Sequence, residues 1–393
     1  MRQEDSRKAL VFGAGNIGRG FLGVLLHESG YQVKFVDVDE GRVNLINQHQ
    51  DYPVYICSKK GIREQMVSGV SAINARDSEK VIQAVCDADI IMTAVGMTAL
   101  QHVAKPIALG LIERNKRQIG QTHVIVIACE NVRDNTDYLA NFIRAQVGSE
   151  WQQKLASSVS LPRCIVDRIV PNTKPRSDHP LATIVEDYFQ FAVDKSQLQE
   201  DFPNIAGIEL VPHVSSKLDQ KLFTLNMAHA IVAYFGLIHG YHFIHEAVED
   251  KEILKLVVGA LREVEDVIVQ NHPTIGREEQ IIYAAKIIDR FGNPYLEDEL
   301  SRVAREPRRK LGSNERLVMP ALRYLEKGGI PPYLAAGIAS GFHFHDEKDP
   351  QAKEMTAEIS ARGLTAVIAE VSGLKEGHPL TRTVEADYYL RAL

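Results

Sequence analysis

Residues Lys8-Ala9-Leu10-Val11-Phe12-Gly13-Ala14-Gly15-Asn16-Ile17-Gly18-Arg19-Gly20 read as a short apolar strand running directly into a glycine-rich turn that opens a helix. The pattern Gly13-x-Gly15-x-x-Gly18 has a mechanical reading. The first glycine permits the tight turn, the second lets backbone approach a pyrophosphate, and the third lets helix pack on strand. The N–H groups of the helix N-terminus then face the anion. Residues Phe12 to Gly20 are therefore candidate contacts for a dinucleotide. A glycine-rich turn that binds nothing has the same local sequence, so its surroundings decide.

The next apolar run, 32–38, ends in Val36-Asp37-Val38-Asp39, with Asp37 nineteen residues after Gly18. An acid there can accept hydrogen bonds from the adenosine ribose and repels a 2′-phosphate. No arginine follows at 38, so the expected cofactor is NAD and not NADP. Further outward, strands are expected at 8–13, 89–95, 123–129 and 163–170, with helical stretches at 16–29, 78–86, 98–116 and 134–147. Strands alternating with helices of this length imply βαβ crossovers and a parallel sheet. Residues 52–73 read as antiparallel strands inserted after the second strand. The segment 171–213, rich in proline and polar residues, reads as a hinge. From 214 the period is helical, at 215–236, 251–270, 278–289, 316–326, 332–340 and 351–371, with no strand. The expected fold is thus α/β, with a Rossmann-type doubly wound N-terminal domain over 1–205 and a mainly α-helical C-terminal domain over 206–393.

Composition narrows the function. The 393 residues carry a net charge of −6, which provides no basic field for nucleic acid or anionic lipid. Four separated cysteines, Cys57, Cys86, Cys129 and Cys164, form no C-x-x-C pair and suit a reducing compartment. The charged N-terminus has no apolar signal region, and no run of eighteen apolar residues occurs, so a cytoplasmic protein is expected. The residues before Lys8 are expected to be disordered. Neither nucleic acid nor membrane is an expected partner, and no feature sets the oligomeric state.

Chemistry is concentrated in Lys221-Leu-Phe-Thr-Leu-Asn226-Met-Ala-His229. Hydride transfer needs a group to exchange the alcohol proton and donors to hold the alkoxide. At 100° per residue, Asn226 lies about 140° and His229 about 80° from Lys221 on an α-helix. The three can converge on one small molecule, although a solvated helix face carries the same residue types. A lysine acts as base near neutral pH only where burial or a neighbouring cation favours its neutral form.

The spacing K-x-x-x-x-N-x-x-H resembles the signature of the polyol-specific long-chain dehydrogenases, the mannitol dehydrogenase family. Further blocks in the same order extend the resemblance over nearly the whole chain. These are KALVFGAGNIGRGF at the start, TAVG at 93–96, ACEN at 128–131, VDRIVP at 166–171 and FGNPYLEDELSRVAREPRRKL at 291–311. The resemblance implies metal-independent interconversion of D-mannitol 1-phosphate and D-fructose 6-phosphate with NAD(H). It implies Lys221 as general acid/base, Asn226 and Asn131 as donors to the alkoxide, and His229 as a ligand of a substrate hydroxyl. The substrate phosphate needs cations, for which Arg168 and the cluster Arg302, Arg305, Arg308, Arg309 and Lys310 are candidates.

Other readings are weaker. Tyr55 and Lys59 form the Y-x-x-x-K of short-chain dehydrogenases, but fall too early in the chain. His239, His242 and His245, or His343 and His345, suggest a zinc enzyme, yet no cysteine accompanies them. A sensor that binds NAD(H) without turnover would not need Lys221, Asn226 and His229. Within the family, a hexuronate or an unphosphorylated polyol is the rival substrate.

Overall fold

The run Val124–Ala128 is buried at all five positions, as a central parallel strand covered on both faces requires. In the computed structural model, which describes residues 7–117, 123–172 and 179–391, it sits within a six-stranded sheet. The strands, in chain order, are Lys8–Phe12 (β1), Gln32–Asp37 (β2), Asp51–Ser58 (β3), Gly61–Ser68 (β4), Ser71–Asn74 (β5) and Ile90–Thr93 (β6). They continue with Val124–Ala128 (β7), Val159–Ser160 (β8), Cys164–Asp167 (β9), Thr183–Glu186 (β10), Gln190–Asp194 (β11) and Ile208–Val211 (β12). The main sheet has the order β5-β2-β1-β6-β7-β8, parallel throughout. Counted within that sheet this is 3-2-1-4-5-6, the doubly wound arrangement of dinucleotide-binding domains.

Alternation along β1 places its residues in two cores. Ala9 and Val11 join Phe21, Phe35 and Tyr52 on one face, and Leu10 and Phe12 join Val85, Ile107 and Leu139 on the other. The second face is covered by helices Ser78–Asp87, Leu100–Lys116 and Asn135–Ala145.

Four sequence expectations differ from the structure here. The stretch 163–170 is not part of the parallel sheet: β9 pairs antiparallel with β11 in a separate sheet of order β12-β11-β9. The sixth strand is instead the two-residue β8, too short to leave a periodic trace. Residues 52–73 contain an antiparallel β3–β4 hairpin, but their last residues belong to β5 at the edge of the main sheet. The segment 171–213 is not simply a hinge, since it carries β10, β11 and β12, and β10 pairs with β3. The chain divides at Val214, beyond the expected boundary of 205, because β12 is bonded to β11. The expectation of disorder before Lys8 covers residues 1–7; residues 1–6 lie outside the described residues, as do residues 173–178 of the hinge segment, whereas Arg7 is described and its carbonyl accepts from Gln32 N at 2.8 Å.

The second unit, 215–393, contains helices and one isolated bridge, Phe243 to Glu299, among its described residues. Its centre is the continuous helix Ser215–Ile238, long and apolar enough to cross a bilayer by composition. It is buried over 89% of its most apolar window, as the core helix of a folded unit would be. Helices Lys251–Asn271 and Pro332–His343 pack against its C-terminal half. The expected helix 351–371 is two helices, Pro350–Arg362 and Leu364–Ser372, broken at Gly363, whose φ is +84°. Helices Ile244–Glu249, Leu300–Ala304, Pro307–Lys310 and Pro379–Arg391 were too short or too weakly periodic to be read.

Candidate active site

In the first unit the glycine turn follows β1 with Gly13 at φ +95°, its N–H donating to Val36 O at 2.8 Å. A Cβ on Gly13 would lie 2.5 Å from Ala94 O, and one on Gly18 would run into the carbonyl of Gly13. Around Gly15 nothing lies within 4 Å of that position, so the space beside its backbone is open. A cavity of about 500 Å³ begins there, lined by Gly13, Gly15, Asp37, Arg42, Val95 and His102 among others.

Asp37, buried at the end of β2, is the organising carboxylate of this cavity. Its Oδ2 accepts from Ala14 N at 2.7 Å and its Oδ1 from Asp39 N at 2.9 Å. Arg42 Nη1 reaches both oxygens at 3.0 Å. Arg42 was not singled out in the sequence; its signal was its place one helical turn beyond the capping residue Asp39.

Arg19 points its guanidinium into protein, with Nε donating to Leu181 O at 3.2 Å and Nη1 to Ala14 O. Burial lowers its pKa to about 10. Asn16 Nδ2 donates to Pro171 O at 3.1 Å. The two side chains therefore tie the turn to Pro171 and Leu181 respectively. Ile17, partly buried, packs against the Phe21 core, and a Cβ on Gly20 would press on Val185 of β10.

Asn131 lies exposed just past the C-terminal end of β7, the edge where α/β sheets place ligands. The adjacent Glu130 is buried, which pushes its carboxyl pKa up, and it accepts from Thr93 Oγ1 at 2.7 Å and Val95 N at 3.0 Å. It thereby binds the TAVG and ACEN blocks to each other. Arg168 is occupied within the same unit: Nε donates to Glu186 O at 2.9 Å, Nη1 to Gly20 O at 3.2 Å, and the group lies over Phe21 and Phe189. Burial lowers its pKa to about 10. Its Nε and Nη1 thus serve the fold, which weighs against the phosphate role expected of it.

In the second unit Lys221, Asn226 and His229 all lie buried on helix Ser215–Ile238. Residues Lys221–Asn226 form a π-helical turn and not an α-helical one. In a π-turn, residues five apart are about one turn apart, so Lys221 and Asn226 align on one face instead of diverging by about 140°. The wide turn is bridged from outside. Gln220 Nε2 donates to the buried Gln280 Oε1 at 3.0 Å, and Gln280 Nε2 donates to Thr224 Oγ1 at 2.9 Å. Two residues before Lys221, Asp219 receives His272 Nε2 at 3.0 Å and Arg323 Nη1 at 2.9 Å.

His229 stacks on Phe291 at 4.7 Å, and its Nε2 lies 3.1 Å from Asp298 Oδ2. Burial lowers the His229 pKa, partly offset by Asp298. Asp298 is nearly inaccessible, and burial works to raise its pKa. Arg302, at 2.6 Å, and His229 outweigh this and hold it below the usual value.

The expected arginine cluster is mostly paired. Arg302 is held by Asp298, Arg308 by Glu358 and Glu370, and Arg309 by Glu306 and Glu315. Lys310 is buried, donates to the carbonyls of Val303 and Arg305, and has its pKa pushed well down by that burial. Arg305 is exposed, donates to Arg302 O at 3.2 Å, and makes no ion pair with a carboxylate among the described residues.

A family model described as the mannitol dehydrogenase Rossmann domain matches residues 7–207, and one for the mannitol dehydrogenase C-terminal domain matches 213–390. The chain belongs to the mannitol dehydrogenase family. Two relatives named mannitol-1-phosphate 5-dehydrogenase match it almost end to end. That of Thermoanaerobacter pseudethanolicus is 37% identical, covering 97% of each chain. That of Oceanobacillus iheyensis is 39% identical over 96% of this chain and 97% of its own. Among solved structures, Pseudomonas fluorescens mannitol 2-dehydrogenase in complex with NAD and D-mannitol has a TM-score of 0.79 at 18% identity. It covers 98% of this chain and 92% of that one. A substrate-free D-sorbitol dehydrogenase has a TM-score of 0.77 at 19% identity, covering 99% and 93%. These two structures share the family's fold.

Within this family member, sequence reasoning missed Asp298, Arg302 as its partner, Gln280 and Glu130. Asp298 and Glu130 both stood inside quoted blocks, LEDEL and ACEN. Nothing local marks which acid of a run turns inward. Of the histidines weighed for zinc, His239 lies 3.7 Å from Asp250, and His343 stacks on Tyr388 at 3.8 Å. Tyr55 lies in β3 and Lys59 in the turn to β4, inside the hairpin.

Proposed function

We propose that the chain interconverts D-mannitol 1-phosphate and D-fructose 6-phosphate in the cytoplasm, with NAD(H) held by the first unit. The observation that carries the chemistry is the π-turn that aligns buried Lys221 with Asn226 in a member of this family. The two relatives of matching length that carry the mannitol-1-phosphate 5-dehydrogenase name support the substrate. The cavity beside Gly15 and Asp37 has the size and donor set for the adenosine end of the cofactor. When bound, NAD(H) supplies or accepts the hydride.

The protein's own groups do the rest. In the oxidative direction Lys221 Nζ takes the hydroxyl proton, and in the reverse direction it returns that proton to the alkoxide oxygen. No metal takes part. Asn226 and Asn131 donate N–H to the oxygen as charge develops, where fixed donors act most strongly. His229, held in orientation by Asp298, binds a substrate hydroxyl. Arg305 is the cation of its cluster best able to meet a phosphate, because its neighbours are committed to carboxylates or carbonyls.

The test is NADH oxidation measured side by side with fructose 6-phosphate, fructose and a keto-hexuronate. Turnover should be fastest with fructose 6-phosphate. Activity confined to an unphosphorylated substrate would overturn the substrate and keep the reaction class. NADH binding without turnover of any of the three would favour a sensing role.

A further inference from the structure

Outside the dinucleotide cavity, three side chains from separate segments of the first unit come together. His49 ends helix Glu40–His49, Asp51 begins β3, and His179 precedes β10. One potential ligand atom from each lies within 4.8 Å of the other two. His179 Nε2 is 3.6 Å from Asp51 Oδ1, and the His49 and His179 rings lie 4.7 Å apart, tilted by 59°. No other group of three such residues is this close among the described residues. Two imidazoles and a carboxylate form a donor set suited to a divalent transition metal of the zinc type, which takes N and O ligands at about 2.0–2.2 Å and completes its shell with water. The terminal torsions of histidine and aspartate are broad, so these ligand atoms can turn toward one another.

The ligand-bearing segments are joined to the glycine turn through one residue. Tyr52, next to Asp51, donates its hydroxyl to Arg19 O at 3.0 Å. Leu181, two residues after His179, receives Arg19 Nε on its carbonyl. Leu181 N in turn donates to His179 Nδ1 at 3.3 Å. That last bond sets a conflict. With Nδ1 accepting, the proton of a neutral His179 sits on Nε2, the atom facing Asp51. A metal bound at Nε2 moves that proton to Nδ1, which then no longer accepts from Leu181 N. The 179–182 turn must rearrange, and it carries the carbonyl that anchors Arg19.

We propose that His49, Asp51 and His179 form a site for a divalent transition-metal ion, separate from the hydride-transfer chemistry, whose occupancy opposes cofactor binding at the glycine turn. The coupling half rests on the dinucleotide reading of that turn, whereas the metal half does not.

The experiment uses the full chain, stripped with chelator and dialysed. Zinc is titrated by calorimetry, and NADH by fluorescence with and without saturating zinc. One zinc per chain is expected. His49→Ala and His179→Ala should each weaken it by about tenfold or more, since even outer-shell partners cost that much. Saturating zinc should raise the NADH dissociation constant by about fivefold or more in the wild type, and NADH should weaken zinc by the same factor. Neither effect should appear in the variants, and the zinc-free NADH affinity of His49→Ala should match the wild type; His179→Ala also removes the acceptor of Leu181 N, so it serves for the zinc measurement alone. Asp51→Asn, which keeps the side-chain shape, gives the same reading if an alanine variant misfolds. Zinc binding unchanged in these variants, or no zinc binding at all, would overturn the site. Normal zinc binding with an unmoved NADH constant would overturn the coupling. A zinc-free chain that binds no NADH would instead sink the reading of the glycine turn.

Discussion

The glycine turn of the first unit and the lysine helix of the second both contain a π-helical turn, Gly18–Gly23 and Lys221–Asn226. They reach that geometry by opposite routes. In the glycine turn the decisive contacts are backbone ones: Gly13 against Ala94, and Gly18 against the carbonyl of Gly13 five residues earlier. Steric exclusion of any Cβ writes such a turn into the sequence as glycine. The lysine helix is shaped by side chains from far along the chain. Gln280 bridges Gln220 and Thr224 from positions 60 and 56 residues away, and Asp298 meets His229 across 69. A π-turn also breaks the 100° period from which a helix face is read. Function legible in one region was therefore only half legible in the other.

Four variants can break or sharpen that contrast. The largest effect is expected at Lys221→Ala, which should lower kcat by about 10²- to 10⁴-fold, the range of general acid–base catalysis, with NADH affinity nearly unchanged. Turnover near the wild-type rate would remove Lys221 from the chemistry. Next come the two glycines of the turn, which should separate cleanly. Gly18→Ala forces a Cβ into the Gly13 carbonyl and should cost about 1–3 kcal/mol of stability, read as a lower urea midpoint. Gly15→Ala, whose Cβ meets only open space, should leave that midpoint in place and weaken NADH binding. Equal midpoints for the two would show that the turn is not sterically determined. The smallest effect belongs to Asp298→Asn, which keeps shape but removes the charge paired with Arg302. KM for fructose 6-phosphate should rise by about tenfold, with kcat and NADH affinity changed less. A loss of stability with KM unmoved would reduce Asp298 to a structural role.

The arginine cluster shows the same limit from another side. Five cations in AREPRRK and the preceding helix look equivalent in sequence. Folded, three are paired with carboxylates and Lys310 is turned inward onto carbonyls, which leaves Arg305. Arg168 was singled out by the same logic of charge, yet it packs under aromatic rings against backbone. Charge type is local information, whereas pairing is not.

The sequence by itself determined the parallel sheet, the position and steric logic of the glycine turn, the acid at Asp37 and the helical second unit. Each of these follows from periodicity or from backbone sterics over a few residues. The blocks shared with the family added the candidate reaction. Only the tertiary structure decided that 163–170 leaves the main sheet, that the unit boundary falls after β12, and that Lys221 and Asn226 share a face. It also decided which charges are neutralised. Those outcomes depend on pairing between segments tens of residues apart, and a single residue type does not encode which partner it will meet.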